Sequence, residues 1–277
     1  MTYKTILVHL DGRGRSTERL DFAFAVAAKF EAHLVGLYAP GAARIPSYAL
    51  AEAGPALREI VERRRTESLR QAEKAFRDAA ARRGDAGAEW RVSEADPAAA
   101  VAVSARYADL VVVAQPEPQD EPGVRALAEE FVLSAGRPVL YLPYAGRFAT
   151  LGERVMIAWD AGREAARAVS DALPLLRRAK AVEVAVFNPE RRRREHGEQP
   201  GADVSLFLAR HGVKVTVAQQ SGADFDVGSQ VLSRAADTSA DLIVLGAYGH
   251  SRVRELVLGG VTRTILESMT VPVLMSH

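Results

Sequence analysis

One series of elements occurs twice along this 277-residue chain. One half opens with Thr5-Ile-Leu-Val-His-Leu-Asp11-Gly, the other with Arg154-Val-Met-Ile-Ala-Trp-Asp160-Ala-Gly. Each is a short apolar run that ends in aspartate and leads into a helical pattern. Further on, Ala108-Asp-Leu-Val-Val-Val matches Ala240-Asp-Leu-Ile-Val-Leu, and Arg137-Pro-Val-Leu-Tyr-Leu matches Val271-Pro-Val-Leu-Met-Ser. The offset falls from 149 residues at the aspartates to 132 at the Ala-Asp-Leu runs. The first half therefore carries extra residues in its middle. A duplicated series of this kind predicts two copies of one fold, and 277 residues suffice for two ordinary domains.

Strands alternate with helices in both halves. The first half predicts strands at 4–10, 33–38, 88–93, 109–114 and 138–142, with helices at 16–31, 55–83, 97–107 and 123–135. Helix 55–83 shows apolar residues at Leu57, Ile60, Val61, Leu69, Ala72, Phe76 and Ala79, close to helical spacing. The second half predicts strands at 154–159, 181–187, 213–218, 241–246 and 272–275, with helices at 162–179, 201–212, 226–239 and 260–269. Runs such as Leu110–Val113 and Leu242–Leu245 lack polar alternation. Continuous apolar strands set between helices indicate a parallel sheet covered on both faces. The expected class is α/β, with domains at 1–146 and 153–277 and a linker over 144–153.

Composition narrows the function. With 48% hydrophobic and 26% charged residues the chain reads as a soluble globular protein. A net charge of +1 gives no general pull toward nucleic acid or an anionic membrane. The absence of cysteine excludes disulfides, thiol catalysis and cysteine metal sites. No signal-like segment and no apolar run of about eighteen residues is present, so a cytoplasmic location is expected. The six histidines show no ligand spacing, and no Gly-x4-Gly-Lys-Ser/Thr occurs. Arg191–Arg194 form a basic run, either a solvated connection or a docking patch for an acidic partner.

The chemistry gathers near the end of the chain. The apolar strand at 241–246 runs into Gly246-x-x-Gly249, and nine residues later Gly259-Gly260 opens a helix. Such an arrangement directs backbone N–H groups at one concavity beside a helix N-terminus, which suits phosphate. If each half has strand order 3-2-1-4-5, the carboxyl ends of its strands 1 and 4 flank the point where strand order reverses, and ligands bind there. Trp159 and Asp160 would then face Gly246 across one crevice. Gly246 and Gly249 would let the main chain approach an anion without a Cβ. Gly259 and Gly260 would offer N–H groups at the start of the helix beginning near Val261, and Thr262 a hydroxyl. Asp160 would accept from a ribose hydroxyl or hold magnesium. The backbone around Val186 would meet an adenine edge. Blander duties exist for each: Asp160 as a helix cap, Tyr248 and His250 as loop-surface or ligand-rim residues, and Arg252 and Arg254 as a solvated helix face.

Segment 240–275 resembles the C-terminal signature of the universal stress protein family, Gly-x2-Gly-x9-Gly followed by Ser or Thr. Asp11 and Asp160 match the family's strand 1 aspartate. The duplication identifies the chain as similar to tandem members. The resemblance implies two flavodoxin-like domains of order 3-2-1-4-5 forming an intramolecular pseudo-dimer, their last strands meeting across a pseudo-twofold axis. It further implies ATP or another adenine nucleotide in the second domain, with Mg2+ carried on the nucleotide, at Trp159, Asp160, Val186, Gly246, Gly249, His250, Gly259, Gly260, Val261 and Thr262. Gly260 stands where the family has Ser or Thr, so one hydroxyl is lost and Thr262 is the candidate to replace it.

The first half departs from the signature. Its strand 4 leads into Pro116-Glu-Pro-Gln-Asp-Glu-Pro122, which removes three N–H donors and sets Glu117, Asp120 and Glu121 where phosphates would sit. A degenerate site is expected there. The functional expectation is a stress-response or signalling protein with an unidentified protein partner, acting as a monomeric pseudo-dimer or a homodimer. The alternatives are a nucleotide-independent interaction module and, since no general base is evident, at most slow ATP hydrolysis.

Overall fold

A computed structural model describes residues 2–12, 15–40, 55–84, 87–192, 198–222, 226–249 and 260–277. The first half contributes β1 (Thr5–Leu10), α1 (Ser16–Phe30), β2 (His33–Tyr38), α2 (Pro55–Arg83), β3 (Glu89–Val92), α3 (Pro97–Ala105), β4 (Leu110–Ala114), α4 (Pro122–Ser134) and β5 (Val139–Leu142). The second contributes β6 (Arg154–Ala158), α5 (Arg163–Leu176), β7 (Ala181–Phe187), a 3-10 turn (Pro189–Arg192), α6 (Ala202–Arg210), β8 (Val215–Gln220), α7 (Val227–Asp237), β9 (Leu242–Gly246), α8 (Val261–Ser268) and β10 (Val273–Ser276).

The ten strands form one sheet in the order β3-β2-β1-β4-β5-β10-β9-β6-β7-β8. Each half thus has the expected order 3-2-1-4-5, parallel throughout. The halves join through β5 and β10, which pair antiparallel with Leu274 opposite Leu140. The molecule is a pseudo-dimer closed by its own last strands.

The unbroken apolar character of the strands follows from their burial on both faces. Along β1, Ile6, Val8 and Leu10 enter one core with α1, α2, α5 and α6, while Leu7 enters the other with α3, α4, α7 and α8. The first core runs through both halves, from Phe30 and Phe76 to Leu175 and Leu208. Across the junction, Gln115 is buried and donates from Nε2 to the Leu266 carbonyl at 2.9 Å, while its Oε1 accepts from the Tyr144 N–H at 3.0 Å.

Three departures from the sequence expectations have local causes. β8 begins at Val215 rather than 213, because Gly212 turns left-handed (φ 78°) and the Val213 N–H closes back on the Leu208 carbonyl, ending α6. α2 keeps its helical spacing, but among its described side chains only Ala72, Phe76, Ala79 and Ala80 are buried, while Ile60 stands 49% exposed. The segment over 144–153 has no regular structure yet packs on α1: Phe148 meets Phe22 edge-on and Lys29 donates to the Leu151 carbonyl. Among the described residues no helix is long and apolar enough to cross a membrane.

Candidate functional site

β6 and β9 lie side by side, with Ala158 opposite Leu245. From their carboxyl ends the chain turns to opposite sides, toward β7 and toward β10, so strand order reverses between them. A crevice forms at such a point. Trp159 continues β6 by donating its N–H to the Ala185 carbonyl at 2.9 Å. Asp160 follows, partly exposed, and its Oδ1 accepts from the Gly162 N–H at 2.9 Å. Ala161 between them is left-handed (φ 62°). The backbone cap of α5 is Gly162, so Asp160 holds the turn ahead of the helix rather than capping it.

The glycines divide in their duties. A Cβ on Gly246 would stand 2.4 Å from the Ala165 nitrogen and 2.6 Å from the Glu164 carbonyl carbon. The absent side chain therefore lets the first turn of α5 lie on the end of β9, and this close approach requires glycine there. Gly249 is different. The nearest described atoms to a Cβ there belong to side chains, 2.9 Å to Glu164 Oε2 and 3.8 Å to Asp160 Oδ2. The two carboxylates converge on the second loop glycine.

Glu164 was not anticipated from the sequence. It lies in the first turn of α5, is 3% exposed and pairs with the Arg163 guanidinium. Burial opposes its ionisation, but the Arg163 hydrogen bond, its own backbone N–H, the Arg163 charge and His277 outweigh that and hold the carboxyl below its ordinary value. His277 is brought in by its Nδ1, 2.9 Å from the Ala247 carbonyl oxygen.

On the other wall, Gly260 caps α8 through its backbone alone, with no side-chain hydrogen bond. Val261 is partly buried against the second core. Thr262, the candidate for the replacement hydroxyl, is 2% exposed, and its Oγ1 accepts from the Tyr248 N–H at 3.3 Å, tying the glycine loop to α8. Val186 is fully buried and pairs with Gln219. Beyond the Trp159–Ala185 bond, β7 runs on through Val186 and Phe187 with β8 on one side and the crevice on the other. His250 and Gly259, with Arg252 and Arg254, lie outside the described residues.

The corresponding place in the first half is built over. Asp11 lies 3.4 Å from Arg19 Nη1, the side chains 7% and 4% exposed, and the same nitrogen donates to the His9 carbonyl at 2.9 Å. Tyr38 pairs with Leu10 at the end of β1, the register position that Val186 occupies beside Trp159. Its hydroxyl lies 3.1 Å from Ser68 of α2, and Gly12 sits against both. In the proline loop the Glu117 N–H donates to Asp120 Oδ2 at 2.7 Å. The cavity left there holds about 30 Å³. In the first half, the inserted helix α2 and the arginine of α1 thus pack against the carboxyl end of β1.

Residues 152–277 match the model of the universal stress protein family. A universal stress protein of Archaeoglobus fulgidus has a similar structure, 15% identical, covering 98% of this chain and 95% of that one with a TM-score of 0.72. A functionally unknown protein of Pseudomonas aeruginosa PAO1 is similar over 99% of this chain and 92% of its own, at 17% identity and a TM-score of 0.58. At these identities the likeness concerns the fold. A curated relative, a universal stress protein of Synechocystis sp., is 47% identical over 38 residues, a stretch spanning 14% of this chain and 13% of that protein.

Proposed function

We propose that the chain is a universal stress protein, the family whose model its residues 152–277 match, and from that premise that its second half binds an adenine nucleotide in the crevice between β6 and β9 while its first half binds none. The observation that carries this is the contrast between the two strand 1 aspartates. Asp160 Oδ2 stands 3.8 Å from where a Cβ on Gly249 would lie, at the glycine loop, whereas Asp11 is paired with Arg19, whose side chain is 4% exposed. In this reading Asp160 accepts from a ribose hydroxyl, the β7 main chain at Val186 meets the base, and the phosphates lie toward Gly249, Gly260 and Val261. His250 and Gly259 complete the site. The chain divides into domains at 1–146 and 153–277 and acts as a regulatory protein whose nucleotide state alters contacts with a partner.

ATP is the proposed nucleotide, with magnesium carried on its phosphates. Among the described residues no group of three or more side chains could hold a metal by itself. Asp160 supplies a single carboxylate, which fits an ion already bound to phosphate. The test is equilibrium titration with MgATP. Asp160→Ala abolishes binding under this reading, and Asp11→Asn leaves it intact.

A second reading has an observation of its own. Gly246 serves helix packing and the Thr262 hydroxyl is engaged within the protein. Both suit an interaction module that works without nucleotide. Full partner-binding function in an Asp160→Ala, Gly249→Glu variant would favour it.

A further inference from the structure

We propose that Glu164 sets the charge selectivity of the crevice, weakening the binding of a ligand in proportion to the phosphate charge it brings to Gly249. The inference rests on the nucleotide reading above. It makes the site one that favours a nucleoside monophosphate over a metal-free triphosphate.

Glu164 Oε2 would lie 2.9 Å from a Cβ on Gly249, so the carboxylate lies directly against the loop residue that an anion would approach. Asp160 Oδ2 stands behind it, 3.8 Å from the same point. Glu164 cannot swing into water, because it is 3% exposed and held at the start of α5. Its low proton affinity keeps it ionised at neutral pH. Two negative groups at such separations repel, and more strongly away from bulk water. Arg163 offsets part of this charge, but it already pairs with Glu164, and its side chain is 86% exposed. A divalent cation between carboxylate and phosphate would reverse the sign, so magnesium should matter more as the phosphate chain lengthens.

The experiment is calorimetric titration of the full chain with AMP and with ATP, first in EDTA and then with magnesium. Glu164→Gln keeps the side chain's size and can still accept the backbone N–H. In EDTA it should strengthen ATP binding by roughly tenfold and AMP binding by clearly less, lowering the AMP preference. Magnesium should then improve ATP binding less in the variant than in the parent. Arg163→Gln, at an exposed position, should act oppositely and weaken metal-free ATP most; it keeps the inference testable if Glu164→Gln fails to fold. An unchanged ratio of ATP to AMP affinity in both variants overturns this inference and leaves the nucleotide reading standing. Failure of the parent and both variants to bind either nucleotide overturns the reading, and this inference with it.

Discussion

Arg19 and Asp11 meet at 3.4 Å inside the first half, with side chains only 4% and 7% exposed. The aspartate shared by both halves is ion-paired with an arginine in one and faces the glycine loop, near Gly249, in the other. Removing one partner of a buried pair strands the other charge, at a cost of about 3–5 kcal/mol. Arg19→Ala should lower the urea midpoint accordingly, and Arg19→Ala with Asp11→Ala should recover part of the loss. Neither should change the number of nucleotides bound per chain.

The two loop glycines should separate stability from binding. Gly246→Ala forces a Cβ to 2.4 Å from the Ala165 nitrogen. Backbone must shift, and overpacking of this kind costs about 1–3 kcal/mol. Gly249→Ala comes closest to the far end of the Glu164 side chain, with Asp160 Oδ2 at an ordinary 3.8 Å, so its midpoint should stay close to the parent's while nucleotide affinity falls. Chemical denaturation and titration of both variants check the pair.

Gln115 joins the halves by spanning from the Leu266 carbonyl to the Tyr144 N–H. Gln115→Ala leaves both groups without this partner, and an unsatisfied buried group costs about 1–3 kcal/mol. Hydrogen exchange should show faster opening at the β5–β10 junction than at β1–β2.

Glu164 should leave a pH signature. Its carboxyl titrates below the ordinary 4.5 in the folded chain. A depressed acid stabilises the fold above its unfolded value, and the contribution disappears as pH falls through the folded one. The difference in unfolding free energy between the parent and Glu164→Gln should be constant above about pH 6 and shrink below pH 4.5. A difference that grows on acidification would contradict the assignment.

Much of this was legible in the sequence. The duplicated apolar runs give two parallel α/β halves, while the strand order and the meeting of the last strands, at Leu140 and Leu274, were implied by the family resemblance. The rule that ligands bind where strand order reverses brings Asp160 near the glycine loop. What escaped depends on contacts between segments distant in sequence. Gly246 owes its identity to the first turn of α5, far upstream. Thr262 sits at a plausible helix position, but only packing shows that its hydroxyl turns to Tyr248. Glu164 looks like any first-turn acid until its burial against Gly249 is seen. Ile60 fits the same helical period as Phe76, yet the long helix outruns the core that would cover it.

The central claim is one nucleotide site per chain, in the second half. Calorimetric titration of nucleotide-free protein with MgATP tests it most directly. The account predicts one site per chain, lost in Gly249→Glu, which sets a third carboxylate beside Glu164 and Asp160. Two sites, or one site that survives Gly249→Glu and disappears with a first-half substitution at Asp11, would contradict it.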